Sequence, residues 1–359
     1  MSAHSPNFQL VVITPSGKDK QQAFPNGAGT LRSPGHLPVN FHAYAACTRG
    51  LFSSHPESIS AGSNVLLLIG GKMERSRQCL RELKKAGCKV VVTLKETGLS
   101  QVSGHFQNFD NWMAFKELCM EADGALATTF DTQSLYSSVN PKLPTAFIPP
   151  PYPVEEADWD ISGQVVQEKK GVFVGTRQLF VASRNHAVAL SLLSPVTAEL
   201  HETVTVISGR ASDLPPMKRL LNKARDFSHA LHQRFSQVNP HVRVIAKQMP
   251  ASDYLRLMAE HKLVFQLDSS AVPGQVAGDA LLCRLPCVGG NGTAERLVFP
   301  DLCGHGRSTG EIMDLTRRLL SDQSFRQAQV DQSLALAAKK MCFSVARGQL
   351  HDFYESLVG

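Results

Sequence analysis

Three groups of residues have types and spacing suited to holding an anion. The first is Gly175-Thr176-Arg177, with Arg184 seven residues on. Gly171-Val172-Phe173-Val174 reads as a strand, so Gly175 and both arginines follow its carboxyl end. Arginine grips a diphosphate with two parallel N–H donors, and that location favours a ligand over a solvated loop. The second group runs from Leu267 to Leu297. Ser269, Ser270 and Gly274 are small residues that open a helix N-terminus to phosphate. Gln275 follows, and Asp279 lies about one and a half turns further in, where a carboxylate can accept ribose hydroxyls. The third is Pro25-Asn26-Gly27-Ala28-Gly29-Thr30, where Gly27 and Gly29 let the backbone approach a ligand; read alone, it is an ordinary flexible loop.

Two further sites carry acid–base residues. Lys95-Glu96 leave a buried strand; Glu96 fits the orienting or deprotonating of an acceptor, and Lys95 a phosphate contact. They fit a surface turn pair equally well. His42 is a lone histidine and reads as catalytic or structural. The histidines have no metal-ligand spacing, and Asp131, Asp268 and Asp301 stand alone as cap or turn residues. No metal site is expected, and fixed cations with helix N-termini would carry the diphosphate charge.

The elements that must position these residues repeat one pattern. Residues 8–13, 64–69, 89–94, 125–130 and 145–148 are short apolar strands, and 73–86, 109–122 and 131–138 have helical spacing. Apolar strands without in/out alternation, separated by helices, predict a parallel sheet covered on both faces. Proline-rich residues 149–170 read as a linker, after which strands at 171–175, 203–207, 242–245, 263–267 and 286–288 alternate with helices at 184–193, 216–235, 252–261 and 274–283. The fold class is therefore α/β, with two Rossmann-like doubly wound domains facing a central cleft. The expected domains are 1–150 and 171–340, joined by 151–170, with 341–359 a final helix crossing back to the first domain.

A length of 359 residues agrees with two domains, and 43% hydrophobic with 19% charged residues is an ordinary globular composition. The net charge of +6 suits an anionic ligand but forms no basic arm, which disfavours nucleic acid. The eight cysteines lack a CxxC pair and read as buried, reduced thiols. With a polar N-terminus and no apolar run of about 18 residues, the expected location is cytoplasmic, with peripheral membrane contact left open.

Together these motifs resemble the group 1 (family 4) type of GT-B glycosyltransferases. The family's second half opens with a strand, Gly-x-Arg and a later Lys/Arg, as Gly175, Arg177 and Arg184 do here. Its acidic helix ends in Ala-x-x-x-Gly-x-Pro-Val before a glycine pair and Glu; here Gly278 to Gly290 reads GDALLCRLPCVGG, followed by Thr293 and Glu295. Residues 25–30 resemble its first glycine loop. The resemblance implies transfer of a sugar from a nucleoside-diphosphate donor, most readily a UDP-sugar, to the hydroxyl of a glycan or other acceptor, with no further cofactor. The family's paired glutamates fall at Ala271 and Asp279, and its first-half histidine at Lys95. Ala271 keeps a binding-only relative open as an alternative. A sugar-nucleotide epimerase and a DNA-base glucosyltransferase are the others.

Overall fold

The computed structural model describes residues 8–15, 21–164, 168–175, 182–207, 230, 233–237, 239–245 and 249–357. The chain divides into two compact units, Met1–Trp159 with Ala271–Pro273 and Ala337–Gly359, and Asp160–Ser270 with Gly274–Leu336. No described helix is long and apolar enough to cross a membrane.

The first unit contains β1 (Leu10–Ile13), β2 (Gln22–Ala23), α1 (Phe41–Cys47), β3 (Leu51–Ser53), β4 (Asn64–Ile69), α2 (Met73–Lys85), β5 (Lys89–Leu94), α3 (Leu99–Phe106), α4 (Phe109–Glu121), β6 (Gly124–Ala127), α5 (Phe130–Val139) and β7 (Thr145–Phe147). The sheet order is β2-β3-β1-β4-β5-β6-β7, parallel except for β2. Val65–Ile69 and Val90–Leu94 are buried at every position, which is why these strands show no alternation. The chain leaves β1 toward β3 and returns to β4 on the other flank, so the topological switch falls between β1 and β4.

The second unit contains β8 (Val172–Val174), α6 (His186–Glu199), β9 (Val204–Ile207), β10 (Val242–Ile245), α7 (Ala251–Ala259), β11 (Leu263–Gln266), α8 (Gln275–Leu282), β12 (Cys287–Gly289), α9 (Thr293–Val298), α10 (Thr309–Ser321) and most of α11 (Gln323–Lys340). Its parallel sheet runs β10-β9-β8-β11-β12. Here the switch lies between β8 and β11.

The last helix, α12 (Phe343–Ser356), packs on the first unit. Tyr354 is fully buried, its hydroxyl donates to the Val65 carbonyl at 2.7 Å, and Lys89 Nζ donates to the Tyr354 carbonyl at 2.8 Å.

Several local expectations differ from the structure. The helix expected from Arg184 begins at His186 and runs on to Glu199, through Pro195. Asn185 adopts a left-handed conformation, φ 51°, and its side-chain amide donates to the Leu267 carbonyl at 2.8 Å, which leaves Arg184 in a short 3-10 turn before the helix. β2 and β3 are too short to leave a periodic signal. The segment read as a linker holds 3-10 turns at Ala157–Trp159 and Ser162–Gln164, and Trp159 is buried. Most of the helix expected at 216–235 lies outside the described residues.

Candidate functional site

The carboxyl ends of β8, β11 and β12 gather a buried polar group in the second unit. Gln266 is the last residue of β11, and its side chain points across to β12. Gln266 Nε2 donates to Glu295 Oε1 and lies 3.5 Å from Cys287 Sγ. Two residues on, Asp268 Oδ2 pairs with the Arg184 guanidinium. Asp268 is only 4% exposed, and its Oδ1 accepts from the Ser270 amide at 2.9 Å and from the Ser270 hydroxyl. The Ser269 amide donates to the Ser183 carbonyl at 3.0 Å, which ties this loop to the segment carrying Arg184.

Gly274 caps the N-terminus of α8 with φ 85°. A Cβ there would lie 2.1 Å from Glu295 Oε2, so glycine is required by conformation and by space. Glu295 is 2% exposed, and its Oε2 has no hydrogen-bond partner among the described residues. Burial pushes its carboxyl up to about 7, against the backbone, Gln266 and Arg184, which favour the charged form. Burial also lowers the Arg184 guanidinium from its ordinary range, which Glu295 opposes.

These observations revise two readings. Asp268 is not an isolated turn residue but the ion-pair partner of Arg184; the two are 84 positions apart, so local sequence carries no sign of the pair. Gly175 sits at the end of β8, where a Cβ would meet Val276 Cγ1 at 2.3 Å, so helix packing by itself calls for a glycine there, besides any approach of a ligand. Asp279 is buried on α8, on the helical face that leads to Cys283, whose thiol it pushes up after burial itself. Gln275 is exposed at the start of α8, and Thr293 is buried at the start of α9. Arg177 lies outside the described residues. Gln266 was missed because it reads as the end of an apolar strand. Among the described residues, no cluster of three His, Cys, Asp or Glu side chains is placed to hold a metal.

The remaining expected residues belong to the first unit. Gly27 and Gly29 have φ of 65° and 60° and line a cavity of about 210 Å³ with Phe24, Ser33 and His36. Trp159 Nε1 donates to the Gly29 carbonyl at 3.1 Å. His42 lies against Phe52, ring centroids 3.8 Å apart and planes within 16°, and against His36 at 4.7 Å. Lys95 and Glu96 follow β5, and Glu96 Oε2 lies 2.8 Å from His105 Nε2. A Cβ on Gly71, past the end of β4, would meet the His105 ring at 3.1 Å. His105 carried no sequence signal, because α3 has no motif that marks it.

No protein-family model and no curated protein matches this chain. Solved structures do. A UDP-forming alpha,alpha-trehalose-phosphate synthase from Burkholderia xenovorans superposes with TM-score 0.66 at 11% identity, covering 88% of this chain and 77% of that one. The chain has the GT-B fold. The same kind of synthase from Burkholderia xenovorans in complex with glucose-6-phosphate gives TM-score 0.63 at 15% identity, with 85% and 75% covered. A trehalose-6-phosphate protein from E. coli bound with UDP-2-fluoro glucose gives 0.63 at 10%, again covering 85% and 75%.

Proposed function

We propose that this protein is a glycosyltransferase that moves a sugar from a UDP-sugar to an acceptor hydroxyl without a metal. The observation that carries the reading is the Arg184–Asp268 pair at the switch point of the second unit, beside the N-terminus of α8 and Glu295. Open α/β sheets bind ligands at that position, and a fixed guanidinium with helix amides stabilises a leaving diphosphate. Arg177, Ser270, Gly274 and Gln275 complete the diphosphate side, and Asp279 takes the ribose. On the acceptor side, Glu96 with His105 orients a hydroxyl. The complexes of the structural neighbours make UDP-glucose and glucose-6-phosphate the first donor and acceptor to try. Eight free, buried cysteines support work in a reducing cytoplasm.

Calorimetry with UDP, GDP and ADP in EDTA tests the donor half, and UDP release from UDP-glucose with and without glucose-6-phosphate tests transfer. Binding of none of the three nucleotides overturns the reading. A binding-only relative is the second reading, favoured by Ala271, which has no carboxylate to hold a sugar. It requires UDP-sugar to bind no tighter than UDP and to stay intact with every acceptor.

A further inference from the structure

Glu295 occupies a position where a permanent negative charge works against the site around it. Its carboxyl group is 2% exposed, so water does not screen it. Oε1 accepts a hydrogen bond from the Gln266 amide; this bond and one from the backbone favour the carboxylate, but burial outweighs them, and the carbonyl oxygen of a neutral acid can still accept the Gln266 bond. Oε2 has no partner and abuts Gly274, the residue that caps α8.

The charged and titratable groups around it come from three segments. The segment before α6 supplies Arg184, and the loop after β11 supplies Asp268, which already neutralises Arg184. β12 supplies Cys287, whose thiol is pushed well up by burial first and by Glu295 second, and so stays neutral. Gly274, the cap of α8, brings an uncharged backbone against Oε2. With Glu295 ionised, these described groups sum to one net negative charge, at the point where an anion would dock. Like charges at close range in a buried site disfavour joint ionisation.

We propose that Glu295 is a positioning residue of this site and holds a proton whenever an anion occupies it, so that the nucleotide binds together with one proton. This inference rests on the reading that the second unit takes a nucleoside diphosphate. The burial that pushes the carboxyl up to about 7 places the exchange in the neutral range.

UDP calorimetry on the full chain, in two buffers of low and high ionisation enthalpy, counts the protons. Between about pH 7.5 and 9 the nucleotide's own phosphate, with a pKa near 6, is fully ionised and does not contribute. The expected result is uptake approaching one proton and an affinity that falls up to about tenfold per pH unit. Glu295→Gln is expected to bind UDP with no uptake and a flat profile. UDP that binds the wild-type chain without proton uptake overturns this inference and leaves the donor reading standing. Absence of UDP binding at every pH overturns the donor reading; infrared spectra of the unliganded chain then decide the proton. A carboxylic acid band that titrates near neutral pH, and is missing from Glu295→Gln, supports it, and its absence overturns it.

Discussion

Arg184 and Asp268 form a largely buried ion pair at the switch point of the second unit, with side chains 14% and 4% exposed. Each residue is the other's charge partner, so a substitution at either one acts on folding as well as on ligand binding.

Arg184→Ala is expected to strand the Asp268 charge and to destabilise the fold by about 3–5 kcal/mol, as broken buried pairs do. It should also weaken UDP by about tenfold or more, through the loss of a charged hydrogen bond. The double variant Arg184→Gln with Asp268→Asn removes both charges and should recover much of the stability but not the binding. Urea denaturation with UDP calorimetry separates the two effects. A single variant as stable as wild type would mean that the pair contributes nothing.

Glu295 binds its proton more tightly in the folded chain than in the unfolded one. The folded state therefore carries the extra proton between pH 4.5 and about 7, and stability falls as pH rises through that window. Glu295→Gln lacks this dependence. Its stability relative to wild type should rise across the same window, by on the order of 3 kcal/mol once complete. Urea midpoints at pH 5 and pH 8 check this, and parallel pH profiles would contradict it.

Gly175→Ala is expected to cost about 1–3 kcal/mol, because the new methyl group overlaps Val276 Cγ1. Val276→Ala in the same chain should return part of that loss. Thermal melts of the four combinations measure the coupling. A loss of UDP affinity in Gly175→Ala that Val276→Ala does not restore would instead assign Gly175 to the ligand.

Glu96 and His105 face solvent, with side chains 52% and 22% exposed, so Glu96→Gln and His105→Gln should each change stability by less than about 1 kcal/mol. If the pair orients the acceptor, transfer should slow while UDP binding stays constant. Equal transfer rates in wild type and both variants would remove the pair from the mechanism.

The architecture was legible because burial on both faces leaves strands such as Val65–Ile69 and Val90–Leu94 continuously apolar, and that pattern survives in a single sequence. Strand β3, at Leu51–Ser53, was not legible, since three residues carry no period. Within the site, Gly274 was recognisable from its place before a helix, and Glu295 from its place after a glycine pair. The Arg184–Asp268 and Glu96–His105 contacts were hidden, because a pair is a property of the folded backbone and neither partner announces the other. Gly175 was legible as a glycine at a strand's end, while the reason for it, Val276 on a helix a hundred residues later, was not.

The seat of α12 has a consequence for how the chain is made. Tyr354 closes the interior of a unit whose strands begin at Leu10, and its hydroxyl reaches the backbone of Val65. A ribosome delivers those strands long before it delivers Tyr354, at a pace of about 5–20 residues per second. For that interval the early sheet has no cover over the ground that α12 will occupy, and the whole second unit emerges in between. Completion of the first unit therefore waits until the second unit has been made, and a chain halted before residue 343 leaves the tunnel with the first unit unfinished.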